Sequence, residues 1–169
     1  MPESLPPDSR LSGAVHSGFE LKGRVAIRYG DEAATVRVQW RHGVDDDELL
    51  VTNALGQGVA RITRVAGETL LETADSRRFR AADVESLTEQ VLGWRLPLAG
   101  LADWLRARAT PDSQATIKLD DIGRFLQLEQ DAWNIEYQEY SGTRPVRMRL
   151  TRPNLEFRLI VDEWHELGP

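Results

Sequence analysis

Residues 19–29 read Phe19-Glu20-Leu21-Lys22-Gly23-Arg24-Val25-Ala26-Ile27-Arg28-Tyr29. Odd positions are apolar or glycine. Even positions carry Glu20, Lys22, Arg24 and Arg28, with Ala26 the exception. A period of two over this length marks an antiparallel strand with one face in the core and one in water. Gly30-Asp31 supplies a turn, and Ala34, Val36, Val38 and Trp40 repeat the alternation. A polar turn at 42–47, a break at 53–58 and hairpin turns at Ala66-Gly67 and Asp75-Ser76 then separate further short runs ending at Arg80. The spacing predicts a meander of about six strands.

The period changes after Arg80. Asp83 is placed to N-cap a helix carrying Val84, Leu87 and Val91 on one face, stopped by Gly93. Pro97 opens a second helix with Leu98, Leu101, Trp104 and Leu105 on one stripe. Each helix is expected to span about 10–12 residues. Alternation resumes in Ile117–Leu119, Leu126/Leu128, Trp133/Ile135/Tyr137, Val146/Met148/Leu150 and Leu155/Phe157/Leu159/Val161. The fold class is mainly β with α: an incomplete, half-open antiparallel barrel of about 11 strands, with short helices plugging its concave face. Eleven strands at roughly 4.8 Å spacing make a sheet about 50 Å wide, which must curl. Two short helices cover only part of such a face. A filled aromatic core and an apolar ligand cavity are both compatible with this pattern.

The chain has 169 residues, with 21 Lys and Arg against 27 Asp and Glu for a net charge of −6. That is one domain, expected over residues 19–169. Residues 1–18, rich in Pro, Ser and Gly, are expected to form a flexible lead-in and lack the apolar stretch of a secretory signal. The acidic balance argues against nucleic acid as a partner. Cysteine is absent, which excludes disulfides, thiolate zinc sites, iron–sulfur clusters and a cysteine nucleophile.

Catalytic signatures are missing. His16, His42 and His165 have no metal-ligand spacing and no nucleophile motif beside them. Asp45-Asp46-Asp47-Glu48 lacks the alternating ligands and glycine of a calcium loop and reads as a solvated hairpin turn, as does Asp120-Asp121. Arg147 and Arg149 alternate with apolar residues and so lie on the wet face of a strand. No enzyme activity, metal or cofactor is expected. Leu55, within Asn53-Ala54-Leu55-Gly56-Gln57-Gly58, is a large apolar residue at a turn. It either folds back over the core or projects toward a membrane or another apolar partner.

Several motifs together resemble the LolB family of outer-membrane lipoprotein receptors. They are Gly23-Arg24-Val25-Ala26-Ile27, Trp40, Thr52-Asn53-Ala54-Leu55-Gly56, Leu92-Gly93-Trp94-Arg95-Leu96-Pro97-Leu98, Leu101, Trp104-Leu105, Trp133-Asn134-Ile135-Glu136-Tyr137 and Trp164. Ala54 stands where the family pattern has proline, which loosens the loop but keeps the leucine. The resemblance implies a receptor on the periplasmic side of the outer membrane, lipid-anchored through an N-terminal cysteine that this chain does not contain. It implies that such a receptor accepts acylated lipoproteins from the periplasmic carrier LolA and inserts them into the inner leaflet of the outer membrane, with no catalysis. The leucine of the protruding loop, here Leu55 flanked by Asn53, Ala54 and Gly56, is implied to place cargo in the membrane.

The acyl-chain cavity is expected to be lined by Val38, Trp40, Ile62, Leu87, Val91, Leu101, Trp104 and Met148. At ~0.8 kcal/mol per CH2, a ~16-carbon chain gains roughly 13 kcal/mol on leaving water, so a carrier has to shelter it. A monomer is expected. Two other readings remain: a soluble LolA-like carrier, and a non-catalytic periplasmic β-domain whose Leu55 docks a protein.

Overall fold

The computed structural model describes residues 18–168. His16 and nearly all of the expected lead-in therefore lie outside the described residues. Six strands come first: β1 (Phe19–Tyr29), β2 (Glu32–His42), β3 (Asp46–Thr52), β4 (Gly58–Val65), β5 (Glu68–Thr73) and β6 (Arg78–Ala81). Two helices follow, α1 (Val84–Leu92) and α2 (Leu98–Trp104). Five more strands complete the chain: β7 (Ala115–Leu119), β8 (Phe125–Gln130), β9 (Trp133–Ser141), β10 (Arg144–Arg152) and β11 (Leu155–Glu166). All eleven form one antiparallel sheet in the order β6-β5-β4-β3-β2-β1-β11-β10-β9-β8-β7. Since β6 and β7 are its two edges, the barrel is not closed.

Alternation places the core where the sequence put it. Phe19 and Leu21 of β1, Leu128 of β8, Ile135 and Tyr137 of β9, Met148 and Leu150 of β10, and Phe157 and Leu159 of β11 are buried. Leu87, Leu98, Leu101, Ala102 and Trp104 of the helices join the same cluster. The helices thus cover the concave face and remove its apolar side chains from water.

Both helices are shorter than expected, 9 and 7 residues. α1 starts where Asp83 Oδ1 accepts the Ser86 amide at 2.7 Å. It stops at Gly93, whose φ of 89° a side chain would resist. α2 ends because the chain tightens after Trp104. The Arg106 and Arg108 amides both donate to the Asp103 carbonyl, at 2.9 and 3.1 Å. Ala107 takes a positive φ of 57°. The Trp104 carbonyl accepts from the Ala107 amide at 3.0 Å and from Tyr137 Oη at 2.7 Å, which ties this last turn to β9.

Two runs depart from strict alternation, each at an irregularity in the ladder. Lys118 faces Gln127 and Leu119 faces Phe125, so Leu126 has no partner across the strand. Leu126 is exposed, whereas Leu128 is fully buried. In β10 the register shifts around Pro145–Arg147, and Val146 is only half-buried beside the buried Pro145.

The outer face is polar and laced with ion pairs. Arg24 donates to Asp162 through Nε at 3.0 Å and through a terminal nitrogen at 2.8 Å. Arg149 bridges Glu136 at 2.8 Å and Glu156 at 2.5 Å. Hydrogen bonds from these arginines hold the Asp162 and Glu156 carboxyls below their ordinary range.

Two outcomes follow from this architecture. At Gly23 an added Cβ would lie 2.5 Å from the Ile160 carbonyl oxygen, backbone of the paired β11. Gly23→Ala should therefore cost about 1–3 kcal/mol in urea unfolding; an unchanged midpoint would show that the two strands separate freely there. Carboxyls lowered in the folded state stabilise it above their unfolded values and lose that contribution as pH falls through the folded ones. Stability should be flat from pH 7 to about 5 and fall below about 4, with a shallower fall in Glu156→Gln. Equal slopes for the two proteins would remove Glu156 from the cause.

Candidate functional site

The strand registers sort the turns into two ends. Tyr29 faces Glu32 on β2 and Leu155 on β11, so turns 30–31, 53–57, 74–77, 131–132 and 153–154 share one end. Turns 43–45, 66–67, 120–124 and 142–143 lie at the other.

Leu55 projects from the first end. It is 83% exposed, the most exposed of the large apolar residues described. Of the two positions open to it, the chain adopts the projecting one. Asn53 builds this loop. Its Oδ1 accepts the amides of Leu55 and Gln57 at 2.9 and 3.0 Å, and its Nδ2 donates to Gln57 Oε1 at 2.9 Å. Its backbone N–H donates to the Gln57 carbonyl and its carbonyl accepts from Gly56, both at 2.9 Å. Gly56 takes φ 84°. An asparagine whose side chain closes two turns at once holds a loop without proline. So the loop with Ala54 is pinned from its neighbour, and Leu55 stands out with no core contact to hold it back.

The eight residues expected around an acyl chain all join the central apolar cluster. Trp40, Ile62, Leu87, Leu101, Trp104 and Met148 are buried, and Val38 and Val91 pack on them half-buried. Trp104 is the centre of this layer. Its Nε1 donates to Gln130 Oε1 at 2.9 Å, and its ring lies 6.5 Å from that of Trp133. Gln130, itself buried, also accepts from the Thr110 amide and donates to the Thr110 and Ser113 carbonyls at 3.0 Å each. It ties the segment after α2 to β8. Burial drives the Tyr137 phenol well above its ordinary pKa, so it remains a donor at every physiological pH.

The acidic run at 45–48 is not a solvated turn throughout. β3 begins at Asp46, and alternation turns Asp47 inward with Leu49. Asp47 is 5% exposed. It accepts from Trp40 Nε1 at 2.9 Å and Arg64 Nε at 2.7 Å, and His42 Nδ1 lies 2.6 Å from it. His42 closes β2 rather than standing in a turn, and it packs on Phe19 with ring centroids 5.1 Å apart. The sequence carried the signal: Asp47 is two residues before Leu49, in phase with the buried positions, and opposite the strand of Trp40. Among the described residues no cluster of His, Asp and Glu could hold a metal ion. Asp120 does stay in a turn, accepting the amides of Ile122 and Arg124 at 3.0 and 2.9 Å.

A wide open antiparallel sheet with helices laid into its apolar concavity defines the class of open half-barrels. Solved structures share this architecture. A LolA superfamily protein from Nitrosomonas europaea superposes with a TM-score of 0.55 at 12% identity, over 88% of this chain and 86% of its own. A putative outer membrane lipoprotein-sorting protein domain from Vibrio parahaemolyticus gives 0.51 at 10% identity, over 96% and 91%. At such identities the likeness is one of fold. Sequence goes further. The profile of the outer membrane lipoprotein LolB family matches residues 17–164. The outer-membrane lipoprotein LolB of Thiobacillus denitrificans is 38% identical over 160 residues, covering 94% of this chain and 86% of that protein. Those of Pseudomonas fluorescens and Nitrosomonas europaea are each 34% identical, over 87% and 95% of this chain and 74% and 78% of theirs. The chain belongs to the LolB family.

Asp47→Ala would leave Arg64 and the Trp40 indole without their shared acceptor. It should lower stability by about 3 kcal/mol in urea unfolding. A loss under about 0.5 kcal/mol, the scale of an exposed pair, would mean that water replaces the carboxylate without cost.

Proposed function

We propose that this chain works in lipoprotein sorting at the outer membrane: it accepts acylated lipoproteins from a LolA-type carrier, shelters their acyl chains beneath α1 and α2, and discharges them into the inner leaflet. The observation that carries the reading is Leu55, held in water by the Asn53 turns, in a chain whose relatives are named outer-membrane lipoproteins. A large apolar side chain fixed in solvent gains free energy only when something apolar receives it. The apolar layer between helices and sheet supports the second half of the reading. On this reading an acyl chain takes the place of side chains that now meet there, with Val38, Trp40, Ile62, Leu87, Val91, Leu101, Trp104 and Met148 around it. Transfer requires no energy source if the affinity of each successive site exceeds that of the one before. The chain acts as a single domain over residues 19–169 and as a monomer, on the periplasmic side of the outer membrane, and the family's lipid anchor would sit on a cysteine that residues 1–169 do not contain.

Leu55→Glu should keep the fold and the binding of a triacylated lipopeptide, and lose its delivery to liposomes. Loss of lipopeptide binding in this variant would remove the loop from the discharge step. Val91→Glu, at a half-buried position of α1, should stay folded by circular dichroism and bind the apolar fluorophore N-phenyl-1-naphthylamine at least about tenfold more weakly. Undiminished binding would place the apolar site elsewhere.

A further inference from the structure

The end of the sheet opposite Leu55 has a mouth of its own. A recess of about 450 Å³ opens there between the ends of β2–β4 and the two helices. This volume falls in the range of small-ligand sites, about 300–1,000 Å³. Its floor is the row His42, Asp47 and Arg64, adjacent across β2, β3 and β4. Thr69 of β5 faces Arg64 and continues the row. The rim is charged, with Glu85 from α1 and Asp103, Arg106 and Arg108 from α2 and the turn after it. The inner wall is Val84, Leu98 and Ala102, all members of the central apolar cluster. One opening thus passes from charged groups to the acyl layer within a single recess.

The charges decide what fits. Arg64, Arg106 and Arg108 stand against Asp47, Asp83, Glu85 and Asp103. Arg64 is held by Asp47 at 2.7 Å and Arg108 by Asp103 at 3.3 Å. A phosphate needs an excess of cations, which this rim lacks. A neutral group with several carbonyl acceptors and an amide donor matches a rim that offers both guanidinium N–H groups and carboxylates.

We propose that this recess is the head-group site for the acylated cysteine of a lipoprotein. It holds the thioether-linked glyceryl esters and the N-acyl amide while the chains run inward past Val84 and Leu98. The inference rests on the acyl-binding reading above. It assigns the two ends of the barrel separate tasks, with the polar head held at one and Leu55 working at the other.

The test uses the whole chain, a soluble triacylated cysteinyl lipopeptide as the head-bearing probe and N-phenyl-1-naphthylamine as the headless one. Ala99→Trp fills the recess from an exposed position of α2, so the core is left alone. Arg108→Gln removes a rim donor. Each variant should weaken lipopeptide binding about tenfold and leave the fluorophore within about twofold. Unchanged lipopeptide affinity in both, or an equal loss for both probes, overturns the head-group site. So does stronger competition by dihexanoyl-phosphatidylglycerol than by the lipopeptide, which would make the recess a phosphate site. A wild-type protein that binds the fluorophore but not the lipopeptide also rejects the proposal, leaving the apolar layer intact. Binding of neither probe fails the acyl-binding reading itself.

Discussion

β1 and β11 run antiparallel over their whole lengths, from Phe19 opposite Glu166 to Tyr29 opposite Leu155. This one pairing joins two meanders, β1–β6 and β7–β11, that otherwise share no strand neighbours. Without it there would be two narrow sheets, each with an apolar face and neither wide enough to curve around a helix. With it there is a single trough. The trough needs a cover, and the chain between β6 and β7 supplies one in α1 and α2. Gly23 is where the join is tightest, since there the two backbones leave no room for a Cβ.

Covering the trough also fixes where polar groups are allowed. Three of those that enter the core are spoken for: Gln130 by Trp104 and Thr110, Tyr137 by the end of α2, Asp47 by three donors; the Thr69 hydroxyl, fully buried, has no hydrogen-bond partner among the described residues. Buried polar groups with complete partners are rigid and specify one arrangement. The side-chain ties between α2 and the sheet are therefore few and local, Trp104 to Gln130 and Tyr137 to the Trp104 carbonyl, and the rest of the contact is apolar. Apolar contact is the kind that an acyl chain can replace, because it has no direction to satisfy.

Most of this architecture was legible in the sequence because the signal was periodic. The strand runs, Asp83 and Gly93 around one helix and Pro97 before the other match the structure except at 42–47, where His42 and Asp46-Asp47 belong to strands rather than to a turn, and Leu55 within Asn53–Gly56 stood out as a turn residue. What was not legible depends on the third dimension. Leu126 and Val146 look in phase with their neighbours, yet a bulge in each ladder shifts them, and a bulge is set by pairing across strands. The second helix is shorter than its stripe suggests because the chain tightens around the Asp103 carbonyl and Tyr137, far along the chain, bonds the Trp104 carbonyl. Asp47 was hidden by its own neighbours. Four acidic residues in a row read as a solvated turn, and only the partners His42, Trp40 and Arg64 make its burial affordable.

The strands also differ in length in a systematic way. β1, β2 and β11, in the middle of the sheet, have 11, 11 and 12 residues, whereas the edges β6 and β7 have 4 and 5. The trough is therefore stiff along its spine and thin at its two margins. Opening a margin breaks only a handful of ladder bonds, while opening the spine breaks the fold. Local opening is thereby confined to the rims. The molecule can widen like a seed pod along its seams, and the exchange of amide hydrogens should run fastest in β6 and β7 and slowest in β1 and β11.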